Sequence, residues 1–110
     1  MVGGIEVGSL VILHCGNPRE KMWGVLQRLD ATGVEVRGLD LDTVEDWLRQ
    51  ERADGERLIG PTTFFVPMAR VLRIDLDETT MAVESYADRY FGSCGRDVRD
   101  ALLDDGGIDA

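Results

Sequence analysis

Two runs of strand-forming residues joined by a four-residue turn constrain this chain more than any other feature. Lys21-Met22-Trp23-Gly24-Val25-Leu26-Gln27-Arg28-Leu29 leads into Asp30-Ala31-Thr32-Gly33, and Val34-Glu35-Val36-Arg37-Gly38-Leu39 then alternates with period two. β-Branched and aromatic side chains suit a pleated surface, and so short a turn leaves no chain for a crossover. The expectation is a long antiparallel hairpin. Gly24 inside the first strand permits the bend that closes a small sheet on itself. Asp30 is placed to satisfy turn amides with its carboxylate.

Shorter elements flank the hairpin. Leu10-Val11-Ile12-Leu13-His14-Cys15 is a short apolar run that reads as a buried strand, stopped by Gly16-Asn17-Pro18. After the hairpin the period changes: Val44, Trp47, Leu48 and Glu51 share one helical face. With Asp42 or Thr43 as N-cap and Arg49 and Arg52 in the last turn, a helix over residues 43–52 is predicted, closed by Ala53-Asp54-Gly55. Thr62-Thr63-Phe64-Phe65-Val66 is a fourth strand ended by Pro67. A tight corner at Met68-Ala69 leads to a fifth, Val71-Leu72-Arg73-Ile74-Asp75-Leu76.

Beyond the fifth strand the pattern is helical. Val83, Tyr86, Ala87, Tyr90 and Phe91 fall on one face, Gly92 and Gly95 interrupt, and a second helix over 97–103 offers Val98, Ala101 and Leu102. Residues 1–8 read as a loose lead, 9–77 as the β domain with its inserted helix, and 78–103 as a helical extension. The acidic, glycine-rich 104–110 reads as a disordered tail.

Composition then limits the functional classes. One core is all that 110 residues support, and no apolar run approaches the ~18 needed to cross a membrane. Leu10–Leu13 lacks the basic flank of a signal peptide, so no membrane partner and a cytoplasmic location are expected. The formal net charge is -9, and residues 41–110 hold sixteen acidic side chains against eight basic ones. That field opposes the counterion release on which nucleic-acid binding rests, except at a local basic patch.

No catalytic constellation is readable. Cys15 and Cys94 have no short-range partner, and His14 is the only histidine. A tetrahedral metal site would have to borrow carboxylates, so no metal and no cofactor are expected. Reduced structural thiols are the simplest reading of the cysteines. Adjacent strand residues face opposite ways, so His14 and Cys15 cannot act as a dyad. Cys94 near a possible helix N-terminus is a candidate reactive thiol. The glycine pairs Gly3-Gly4 and Gly106-Gly107 belong to no phosphate-binding loop.

Gly24, Leu26 two residues on, and Asp30 six after the glycine resemble the first signature of Sm-like proteins. The resemblance spans about residues 9–77 and implies a mainly β fold. Its form would be a five-stranded SH3/Sm-like barrel, with a helix inserted between strands 3 and 4 and C-terminal helices appended. Asn17–Gly24 and Gly38–Asp42 are also similar to bacterial proteins of no assigned activity. Two departures bear on function. Val34 occupies the position of the RNA-contacting asparagine, and Val66-Pro67 replaces the Arg-Gly pair of the second signature.

Sm-like barrels form rings by pairing the fourth strand of one subunit with the fifth of the next, which implies 62–66 and 71–76 as edges. Unpaired apolar edges are a liability unless covered. The expectation is therefore a non-catalytic protein-interaction module that forms a homo-oligomer, with room for another protein partner. Candidate surface residues are Trp47, Phe64, Phe65, Tyr86 and Tyr90. Trp47 is either an interface anchor or the pin of its own helix. Phe64 and Phe65 face opposite ways, so one of them leaves the core. The alternative is an Sm-like RNA-binding protein using Arg28, Arg37, Arg70 and Arg73 as phosphate contacts.

Overall fold

The computed structural model describes residues 4–53, 55 and 57–104. The hairpin is its longest ladder: β2 (Glu20–Asp30) pairs antiparallel with β3 (Gly33–Asp40). At its turn, Asp30 Oδ1 accepts from the Thr32 amide at 2.8 Å. Gly24 lies opposite Gly38. A Cβ on Gly24 would fall 2.3 Å from the Arg37 carbonyl oxygen, and one on Gly38 would fall 1.9 Å from that of Trp23. Only two glycines allow the strands to approach so closely.

β1 (Leu10–Cys15) pairs with β2 on one side and with β5 (Val71–Leu76) on the other; β4 (Thr62–Pro67) pairs with β3. All pairings are antiparallel, and the sheet order is β4-β3-β2-β1-β5. The two outermost strands are joined by a single 3-10 turn, Met68–Arg70. Edges of a flat five-stranded sheet stand about 19 Å apart, beyond what ~4 residue steps span. The sheet therefore curls strongly at this corner. Among the described residues β4 and β5 are not paired with each other, so the sheet stays open.

Curling divides the core in two. Val11, Leu13, Cys15, Met22, Leu26, Val34, Val36 and Val66 bury one face, closed by Phe64, Val71 and Ile74 from the sheet itself. Leu10, Trp23, Val25 and Leu39 on the other face meet the helical layer. That layer comprises α1 (Leu41–Arg52), α2 (Tyr86–Cys94) and α3 (Val98–Leu103). β2 is thus buried on both sides, which explains its nearly continuous apolar run.

Several boundaries differ from the sequence expectation. α1 starts at Leu41 after Asp40, and neither Asp42 nor Thr43 is its N-cap; the Thr43 hydroxyl instead donates to the Asp40 carbonyl. Asp54 lies outside the described residues. α2 starts at Tyr86 because Ser85 caps it, accepting from the Asp88 amide at 3.0 Å. Val83 therefore lies outside the helix, and it and Phe91 are exposed rather than on the buried face. Gly92 is inside α2 and does not interrupt it; Gly95 ends it with φ 76°.

The lead segment is tied down more than its composition implies. The Gly8 amide donates to Leu26 O at 2.8 Å, and Arg99 Nε donates to Gly8 O at 2.8 Å. Of the predicted tail, residues 105–110 lie outside the described residues. Asp104 is held by Arg37, whose Nη2 donates to its carbonyl at 3.1 Å.

Candidate interaction surface

The outer strands carry Phe65 and Leu72 among the exposed apolar groups, while Leu58, Met81, Val83 and Phe91 are exposed away from the sheet edges. On β4 the alternation is clear: Phe64 packs toward the sheet-enclosed cluster, Val66 is buried, and Phe65 is 44% exposed. Register sets Phe65 beside Glu35, and Glu35 beside Arg28. The Arg28 guanidinium carbon lies 5.4 Å from the Phe65 ring centroid, a cation–π contact at the surface. Arg28 also bonds Asp30 at 2.8 Å and reaches Glu35 at 3.4 Å. The Asp30 carboxyl is held below its usual range, first by Thr32 and then by Arg28.

β5 is the other edge. Leu72 is 69% exposed where the β1–β5 register slips, and the Arg73 side chain is 70% exposed. Arg73 Nε donates to Asp75 Oδ1 at 2.8 Å, and His14 Nε2 lies 2.9 Å from Asp75 Oδ2. Arg73 first, and then His14, hold the Asp75 carboxyl below its usual range. At the strand's start Arg70 pins the β1–β2 turn, donating to Gly16 O at 2.9 Å and Pro18 O at 2.8 Å.

The other predicted surface residues lie elsewhere. Trp47 is 1% exposed, stacked on Tyr90 with centroids 5.4 Å apart and tilted against Trp23 at 5.8 Å. Its role is to pin α1 to the sheet, so it presents no anchor to a partner. Tyr90 is likewise buried, donating its hydroxyl to Glu51 Oε1 at 2.8 Å. Burial foremost, and then Glu51, raise its phenol above the ordinary range. Tyr86 is half-buried under Arg89, and Phe64 is half-buried against the core. Of the five, Phe65 alone stands exposed, and it meets Arg28.

The four arginines considered for RNA are each engaged within the chain. Arg28, Arg70 and Arg73 have the partners given above. Arg37 Nε donates to the Leu102 carbonyl at 2.8 Å, clamping α3 to β3. They sit on separate elements: Arg28 on β2, Arg37 on β3, Arg70 in the turn before β5 and Arg73 on β5.

Three residues with structural work were not legible as such. Asp77 accepts from the Trp23 indole at 3.1 Å and from the Tyr86 and Ala87 amides, anchoring α2 to the end of β5. The Glu51 side chain is 2% exposed, with Arg96 at 3.5 Å and Arg57 at 3.7 Å beside Tyr90. Arg37 is the third. Only their residue types were readable; their partners are remote in sequence.

Cys15 and Cys94 are free thiols. Cys15 is buried, and burial pushes its thiol up despite Arg70. Cys94 is the last residue of α2, and the helix start foreseen near it is that of α3, capped by Asp97. His14 faces away from Cys15 and toward Asp75, as period-two geometry requires. A cleft of about 330 Å³ between α1 and α2 is lined by Glu45, Arg49, Arg52 and Arg89, among others. There Glu45 chelates Arg89 at 2.6 and 2.8 Å, which holds the carboxyl down. Among the described residues no three His, Cys, Asp or Glu converge to hold a metal, and no helix is long and apolar enough to cross a membrane.

No family model matches the chain, and no curated protein or solved structure matches it significantly.

Proposed function

We propose that this chain is a non-catalytic protein-interaction module, an SH3/Sm-like small barrel in form, that self-associates through the open edges of its sheet. One observation carries the reading: among the described residues β4 and β5 each pair with a strand on one side only, and the exposed Phe65, Met68 and Leu72 lie along them and their connecting turn. Unpaired backbone groups beside exposed apolar side chains form a template for strand addition. The barrel form is supported by the Gly24–Gly38 approach and by the three-residue step from β4 to β5. The two free thiols suit a reducing, cytoplasmic setting. The RNA-binding alternative lacks a comparable observation: its four arginines are spread over β2, β3, the β4–β5 turn and β5 of a chain with net charge -9.

Sedimentation velocity over low to high micromolar concentration tests this reading. A concentration-dependent oligomer, weakened by Phe65→Asp or Leu72→Asp, is the expected result. A single 12.2 kDa species throughout would overturn it.

A further inference from the structure

Resting on that reading of self-association, we infer that the partner strand of β5 is β5 of a second copy, paired antiparallel about a two-fold axis at Ile74. The evidence is the charge order along the strand. Arg70 and Arg73 precede Ile74, whereas Asp75, Asp77 and Glu78 follow it. An antiparallel alignment centred on Ile74 sets Arg73 against the partner's Asp75, with Leu72, at the register slip, toward the partner's Leu76. The two-fold axis repeats each pair. Directly opposed residues on antiparallel strands share a face, so each Arg73 meets a carboxylate of the other copy, while Asp77 stays engaged with Trp23 and α2 of its own chain. A parallel alignment in register would place like charge on like charge.

The structure presents this strand in the condition the pairing needs. β1 occupies one edge of β5, and among the described residues no strand occupies the other. Arg73 and Asp75 point to the same face as His14 and Ile12, their partners across the β1–β5 ladder, while Ile74 faces the sheet-enclosed core. Joining two copies therefore adds the Arg73–Asp75 pairs on the outer face without disturbing that core. β4 is a poorer match, because Thr62–Pro67 carries no charge to answer Arg73 or Asp75 and ends in a proline.

Charges beside the strand follow the same order. The β1–β2 corner near the start of β5 exposes Arg19 and Lys21, which have no carboxylate partner among the described residues. The segment after β5 runs from Glu78 to Glu84 and exposes Met81 and Val83 between its acidic ends. Antiparallel pairing brings the basic corner of each copy to the end where the partner's acidic segment lies. In a chain of net charge -9, such local complementarity gives orientation as well as attraction.

A charge-swap series read by sedimentation velocity tests the pairing. R73D and D75R are each expected to weaken self-association roughly tenfold or more, because like charges then meet twice across the axis. An equimolar mixture of R73D and D75R restores assembly as a heterodimer. The in-chain exchange R73D/D75R restores the homodimer and guards against a variant that merely misfolds, with far-UV circular dichroism as the check. Single reversals without effect, or a mixture whose chains stay apart, overturn the β5–β5 pairing. If Phe65→Asp dissolves the oligomer while the β5 reversals do not, edge association stands and this partner strand is wrong. A monomeric wild type overturns both.

Discussion

Gly24 stands directly opposite Gly38 in the β2–β3 ladder, and each fills the space that the other's side chain would need. This mutual approach is the tightest point of the hairpin. It lets β2 bend while remaining buried on both faces. The expected result for Gly24→Ala or Gly38→Ala is a loss of about 1–3 kcal/mol, or failure to fold, since the obstacle is backbone that cannot rotate away. Urea denaturation measures it. Gly60→Ala is the control, because open space surrounds Gly60 and little change is expected.

Trp47 lies between Trp23 and Tyr90, joining α1 to both the sheet and α2. Trp47→Ala should cost about 3–5 kcal/mol by opening a cavity across the helical layer. Where the variant remains folded, its self-association should match the wild type. An interface anchor would show the opposite pattern, weak association at unchanged stability. Thermal melts and sedimentation on the same samples separate the two roles.

The strands were legible in the sequence and the helical layer only partly so. Alternation, Asn17-Pro18, Asp30 to Gly33 and Pro67 act locally, so β1 to β5 emerge within a residue or two of their observed limits. Trp47 stayed open between two roles, and Val83 and Phe91 were wrongly set on the packed face, because an apolar residue on an amphipathic segment is buried only if a neighbouring element reaches it. Asp77 and Glu51 were hidden for a similar reason. Their partners Trp23 and Tyr90 are distant in the chain; nothing local distinguishes Asp77 from a solvated carboxylate, and Glu51 is marked only by its place on the face of Val44, Trp47 and Leu48. Period two required one of Phe64 and Phe65 to leave the core without deciding which, and the contact of Phe65 with Arg28 required the β3–β4 register.

Tyr90 gives the fold an alkaline limit. Burial and Glu51 raise its phenol above the ordinary value near 10, so the folded state holds this proton more tightly than the unfolded one. Its contribution is intact below about pH 10 and is lost as pH rises further. Tyr86, also raised by burial, acts in the same direction. Tyr90→Phe should cost about 1–3 kcal/mol at neutral pH, by removing the hydroxyl that bonds Glu51. It should also make the decline above about pH 10 shallower. Melting temperatures of both proteins between about pH 7 and 11 test the two effects together.

Arg37 separates a structural from a nucleic-acid role. Its guanidinium holds the carbonyls of Leu102 and Asp104, so Arg37→Ala should cost about 1–2 kcal/mol and loosen α3. Faster tryptic cleavage at Arg99, relative to sites in the sheet, is the expected signature. A phosphate-contacting Arg37 would instead leave stability unchanged and reduce binding of U-rich or A-rich oligonucleotides at low salt.

Amide hydrogen exchange at several concentrations tests the edge account most directly. Within β4 and β5, alternate amides point away from the paired neighbour, and in an isolated chain these exchange with solvent. The account predicts that their protection rises with protein concentration, in β5 above all, while amides of β2 and of the helices do not change. Protection that is independent of concentration, or that rises in the helical layer and leaves β4 and β5 unaffected, would contradict it.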